Sequence, residues 1–146
     1  MKGVIALLYL TGIHALNVPC TLKTCGDWHT GAINWNVLYD RLKESNDSVF
    51  KDYGIEKDVE LSFLTAKPKV NVANHIRACL DLIKDNNFAT AQGMRNDFIC
   101  NDDYNNEIFD KVALLRNEKN WNNIDSFMGK EYLMKWINYK KKVGLK

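Results

Sequence analysis

The period of the hydrophobic pattern changes along this chain, and that change limits what the chain can fold into. In the first part, apolar residues run together or alternate. Residues 4–10 form a short unbroken apolar run (Val4, Ile5, Ala6, Leu7, Leu8, Tyr9, Leu10). Ile33, Trp35 and Val37 alternate with Asn34, Asn36 and Leu38, and Val59, Leu61 and Phe63 alternate with Glu60 and Ser62. A period of two puts successive side chains on opposite faces of a strand. The pattern therefore predicts strands over 4–10, 32–39 and the region of Val59–Phe63, the last broken by Pro68.

From about residue 71 the period becomes helical. Val72, Ala73, Ile76, Cys79, Leu80 and Ile83 follow the i, i+3/i+4, i+7 rule, with Asn71 in the N-cap position and Asp81, Lys84 and Asp85 off the stripe. A short helix is predicted over 89–95 and a longer one over about 106–116. A capped turn opens at Asp125 or Ser126 and ends at Gly129. A last helix carries Tyr132, Leu133, Trp136 and Ile137. Its final turn holds Lys140, Lys141 and Lys142, where cations complement the negative end of the helix dipole. Strands first and helices later is the order of an α+β fold. The expectation is one domain spanning 1–146, a small antiparallel sheet from the N-terminal half with the C-terminal helices packed on one face.

Composition narrows the function. The chain has 146 residues and a formal net charge of +2, which suits one domain and gives no strong pull toward nucleic acid or acidic lipid. The basic tail is too sparse to change that and reads as a solvated helix end. The apolar run at 3–10 is too short to span a bilayer, and residues Thr11 to Asn17 make a poor cleavage region. The expectation is a cytoplasmic protein with no membrane segment. The four cysteines, Cys20, Cys25, Cys79 and Cys100, lack the dense spacing of a small secreted scaffold. Cys79 fits a helix face as a small core hydrophobe.

Chemically capable residues concentrate in one stretch, Cys20-Thr21-Leu22-Lys23-Thr24-Cys25-Gly26-Asp27-Trp28-His29. Cys20, Cys25 and His29 have ligand types suited to zinc, with His14, Asp27, His75 or Cys100 as a fourth, although known sites use tighter pairs. Cys25 could act as a nucleophile beside His29 and Asp27, although such partners usually come from distant parts of a chain. His29 and Asp27 could do acid–base work on a nucleotide stacked on Trp28, with Arg95 reading phosphate. The simplest account is structural: Gly26 permits a turn, Asp27 accepts backbone hydrogen bonds, Trp28 plugs into the core and His29 bonds a carbonyl. In a variant of it the loop is a protein-binding edge, since Trp is enriched at interaction hot spots. The binding candidates are thus Asp27, Trp28, His29 and Arg95. Elsewhere, His75 reads as a satisfied histidine beside the apolar stripe, and Arg95 with Asp97 as a surface ion pair. Asn101, Asp102 and Asp103 lack the spacing of a calcium loop.

Several blocks together resemble a family of small uncharacterised bacterial proteins: Tyr9-Leu10-Thr11-Gly12, Ala15-Leu16-Asn17 and Gly26-Asp27-Trp28-His29, then Val72-Ala73-Asn74-His75-Ile76-Arg77, Ala91-Gln92-Gly93-Met94-Arg95 and Phe127-Met128-Gly129-Lys130-Glu131-Tyr132. The resemblance covers most of the chain. It implies small mobile loci of toxin–antitoxin or phage-defence type, and it carries no catalytic residues. The function expected is a non-enzymatic, antitoxin-like or accessory component that binds a protein encoded in the same locus, with self-association as another assembly and no cofactor. The alternatives are an enzyme acting on a nucleotide or nucleic acid and a small zinc protein.

Overall fold

A computed structural model describes residues 7–26, 33–45 and 48–146. The chain forms, in order, β1 (Leu8–Leu10), α1 (Gly12–Leu16), a 3₁₀ stretch (Trp35–Arg41), β2 (Lys43–Glu44), β3 (Ile55–Glu60), β4 (Lys69–Ala73), α2 (His75–Lys84), α3 (Phe88–Ala91), a π-helical stretch (Met94–Ile99), a 3₁₀ turn (Asp102–Tyr104), α4 (Asn105–Ala113), α5 (Trp121–Tyr132) and α6 (Met134–Val143). The α+β class holds. The sheet order is β2-β1-β4-β3, and β1 runs parallel to β4 while the other pairings are antiparallel. The sheet is therefore mixed rather than wholly antiparallel, because β4 returns beside β1 only after a long crossover. Tyr9 and Leu10 point to opposite faces and both are buried, so β1 is covered on both sides.

Three local departures from the sequence pattern have physical causes. The stretch expected as a strand at 32–39 is 3₁₀ at Trp35–Arg41, because the Asn34 side chain accepts a hydrogen bond from the Asn36 amide and bends the backbone into a turn. Only Leu38 of that stretch is buried. The helix expected from Asn71 begins at His75. Val70 and Val72 alternate inside β4, and Asn74 is the true N-cap, its side chain accepting from the Arg77 amide at 2.9 Å. Val72 and Ala73 sit four and three positions before Ile76, so a strand end imitates a helical stripe. Asp125 does not cap a turn but lies inside α5. Its carboxylate accepts from Trp136 Nε1 at 2.7 Å and pairs with Lys140 at 2.8 Å, fastening α6 to α5.

The sheet is tied to α2 by a buried polar network. Asp81 is buried, although its place off the apolar stripe predicts exposure. Its Oδ2 accepts from the Tyr9 hydroxyl at 2.6 Å and the Thr11 hydroxyl at 2.8 Å, and its Oδ1 accepts from Arg77 Nε at 3.0 Å. Arg77 is fully buried. It donates from Nη1 to the carbonyls of Lys51 and Tyr53, each at 2.7 Å, and from Nη2 to the Tyr9 oxygen at 2.9 Å. Its guanidinium lies over the Tyr9 and Phe50 rings. Burial, and then the charge of Asp81, push the Tyr9 phenol well above its ordinary range. A buried charge stripped of its partner is strongly destabilising. Asp81→Ala is expected to lower unfolding free energy by about 3–5 kcal/mol in urea denaturation. Lys43→Ala, which breaks the exposed pair with Asp85, should cost less than about 1 kcal/mol. Equal losses in the two variants would contradict the network's role.

Candidate functional site

The front loop, residues 20–26, is docked against both halves of the fold. The Thr21 amide and hydroxyl both donate to Glu56 of β3 at 2.9 Å. The Lys23 amide donates to the Tyr104 hydroxyl at 3.0 Å, and the Asn101 side chain donates to the Lys23 carbonyl at 3.1 Å. The amides of Cys25 and Gly26 share the Phe98 carbonyl, at 3.1 and 3.0 Å. Cys25 is joined to Cys100 by a disulfide across 75 positions of sequence. Cys100 ends the π-helical stretch in the left-handed conformation, φ 55°. Such stretches are uncommon, and this one presents both the Phe98 carbonyl and the Cys100 sulfur to the front loop.

The inner wall of the loop is His75, the first residue of α2. Its ring is buried and both nitrogens are engaged: Nε2 lies 2.7 Å from the Val18 carbonyl and Nδ1 lies 2.6 Å from the Thr24 hydroxyl. A carbonyl only accepts, so the neutral ring carries its proton on Nε2 and presents a lone pair at Nδ1. Thr24 Oγ1 in turn lies 3.6 Å from Cys20 Sγ. Gly26 lies flat on the imidazole, where a Cβ would come within 2.8 Å of Cε1. Gly26 is thus needed for close approach to His75. Burial pushes the half-buried Cys20 thiol up, but its neighbours His75 and Thr24 together outweigh it and bring the thiol below its ordinary value. The buried Cys79 thiol is pushed up by desolvation and fits the core role expected of it.

The predicted site residues fare differently. Asp27, Trp28 and His29 lie outside the described residues. Cys20 and Cys25, close in sequence, are not paired. In the disulfide form Cys25 is withdrawn from a ligand set with Cys20 and His29, and among the described residues no three His, Cys, Asp or Glu side chains converge as a metal site. Arg95 makes its ion pair with Asp102 rather than Asp97. The pair is bidentate, from Nε at 3.2 Å and Nη2 at 3.1 Å, with the guanidinium over Tyr132. Arg95 would have to leave Asp102 to clamp a phosphate. His75 sits at the centre of the loop's contacts. The sequence pattern, which puts the N-cap at Asn71, gives no sign of this.

A second region lies at the carboxyl end of β1. Two open clefts of about 380 and 360 Å³ share Lys43, Asp81 and Asp85. His14 and Arg41 line the second of them. His14 stands edge-on to Trp35, ring centroids 5.1 Å apart, and Trp35 edge-on to Phe63 at 4.8 Å. Phe63 is 41% exposed, and Tyr39, in the same 3₁₀ stretch as Trp35, 66%. Compared with family models, curated proteins and solved structures, the chain has no significant match. Among the described residues, no helix is long and apolar enough to cross a membrane.

The contacts that dock the front loop give the disulfide a measurable role. Reducing Cys25–Cys100, or replacing Cys100 with Ser, is expected to lower unfolding free energy by about 2–4 kcal/mol, because the bond closes a long loop in the unfolded chain. Urea denaturation with and without reductant reads this out. Unchanged stability would show that the bond does not constrain the fold.

Proposed function

We propose that the protein is a binding component, antitoxin-like or accessory, that docks onto a protein encoded in its own locus. The observation that carries this reading is the row His14–Trp35–Phe63. Aromatic side chains left half-covered in edge-to-face contact give a rigid apolar surface at small entropic cost, the composition favoured at interface centres. The row borders the cleft floored by Asp81, so a partner would meet apolar rings beside buried polar groups. Trp35 also lies just beyond the segment 27–32, which contains Trp28 and His29.

On this reading the protein works in a bacterial cytoplasm, in a locus of toxin–antitoxin or phage-defence type. Thiol pools there keep structural disulfides reduced, so in that compartment Cys25 and Cys100 would stand as thiols. The test is co-expression with the neighbouring gene product, followed by size-exclusion chromatography with light scattering. A defined complex of both chains is expected, and Trp35→Ala with Phe63→Ala should weaken it by about 2 kcal/mol or more, roughly thirtyfold in affinity. Separate elution of the two chains, or undiminished binding by the double variant, would overturn it.

A further inference from the structure

We propose that Cys20 is a reactive thiol, with His75 as its proton acceptor through Thr24, and that it forms mixed disulfides with small disulfides. The geometry carries the inference. The Val18 carbonyl fixes the His75 proton on Nε2, so Nδ1 is held as an acceptor 2.6 Å from the Thr24 hydroxyl. With that hydroxyl donating to Nδ1, its oxygen accepts from the Cys20 thiol at 3.6 Å. The imidazole is buried, whereas Cys20 is only partly covered. A proton acceptor shielded from water thus lies behind a cysteine that is only partly covered, the arrangement that activates a thiol. The site also sits at the start of α2, a ten-residue helix whose first amides favour negative charge. This goes beyond partner binding and uses none of the residues of the aromatic row.

The step balances. The Cys20 proton passes to Thr24 as the Thr24 proton passes to His75 Nδ1. The Cys20 sulfur attacks one sulfur of the incoming disulfide, a new S–S bond forms and the old one breaks. Cys20 is oxidised, the departing thiolate is the reduced product, and the proton held on His75 neutralises it or passes to solvent. Among the described residues, the titratable and charged side chains that contact the loop include Glu56 of β3, which holds Thr21, and Tyr104, which meets the Lys23 amide, with Lys23 on the loop itself.

The test uses the whole chain with the Cys25–Cys100 bond intact and 5,5′-dithiobis(2-nitrobenzoate) as the probe. One fast-reacting thiol is expected, assigned to Cys20 by peptide mass, with Cys79 silent until unfolding. Thr24→Val should slow the reaction by about threefold or more, since a tenfold loss of thiolate is partly offset by the greater nucleophilicity of a more basic thiol. His75→Gln should do the same. The inflection of the wild-type rate against pH should lie below that of a free cysteine and rise in Thr24→Val, which a purely structural threonine would not produce. Cys20→Ser should abolish the fast phase. A fast phase that survives in Cys20→Ser, or wild-type rates and an unmoved inflection in Thr24→Val, would overturn the proposal. Thr24→Val, at a partly exposed position, keeps the test decisive should His75→Gln fail to fold.

Discussion

The buried pair of Arg77 and Asp81 is the interaction on which the rest of the structure leans. Two charges taken out of water are tolerated only when their hydrogen-bonding capacity is filled, and here the partners come from different parts of the chain. Tyr9 and Thr11 bring β1 and the start of α1, and the carbonyls of Lys51 and Tyr53 bring the segment before β3. The pair thereby sets where α2 lies on the sheet. It also explains Tyr9 and Thr11 in one stroke, since both hydroxyls end on the same carboxylate oxygen.

With α2 placed, its first residue is placed too. His75 then becomes the inner wall against which residues 18–26 fold: Val18 fixes its tautomer, Thr24 meets its second nitrogen and Gly26 lies on its ring. The outer wall is the π-helical stretch, reached through Phe98 and Cys100. The loop richest in reactive residue types is therefore clamped between two elements far away in sequence. Its described contacts link Cys20 to His75 through Thr24, whereas the pairing of Cys25 with His29 weighed from the sequence involves a residue outside the described ones.

The general class of the fold was legible because the change of period in the hydrophobic pattern survives in the structure: strands precede the helices that carry most of the core. The parallel pairing of β1 with β4 was not, since nothing in a short apolar run specifies its neighbours. Side-chain capping misled the local reading twice. Asn34 turns an alternating segment into 3₁₀, and Asn74 divides an apparent helix into a strand and a shorter helix. Asp81 looks like a solvent-facing acid, although its spacing of four from Arg77 is that of a helical ion pair. At the candidate site, His75 was legible as a histidine with partners but not as the centre of the loop's contacts, because those partners are more than fifty positions away. Arg95 was legible as half of a surface pair, with the wrong acid chosen: Asp102 lies just beyond the π-helical stretch that no periodicity announces.

The central claim is that α2 holds His75 in one fixed state for the front loop to fold on. Long-range ¹H–¹⁵N NMR of the histidine rings tests it most directly. The His75 ring is expected to be protonated at Nε2, with that proton slow to exchange and close to Val18. A ring protonated at Nδ1, or one averaging between tautomers with a fast-exchanging proton, would contradict it.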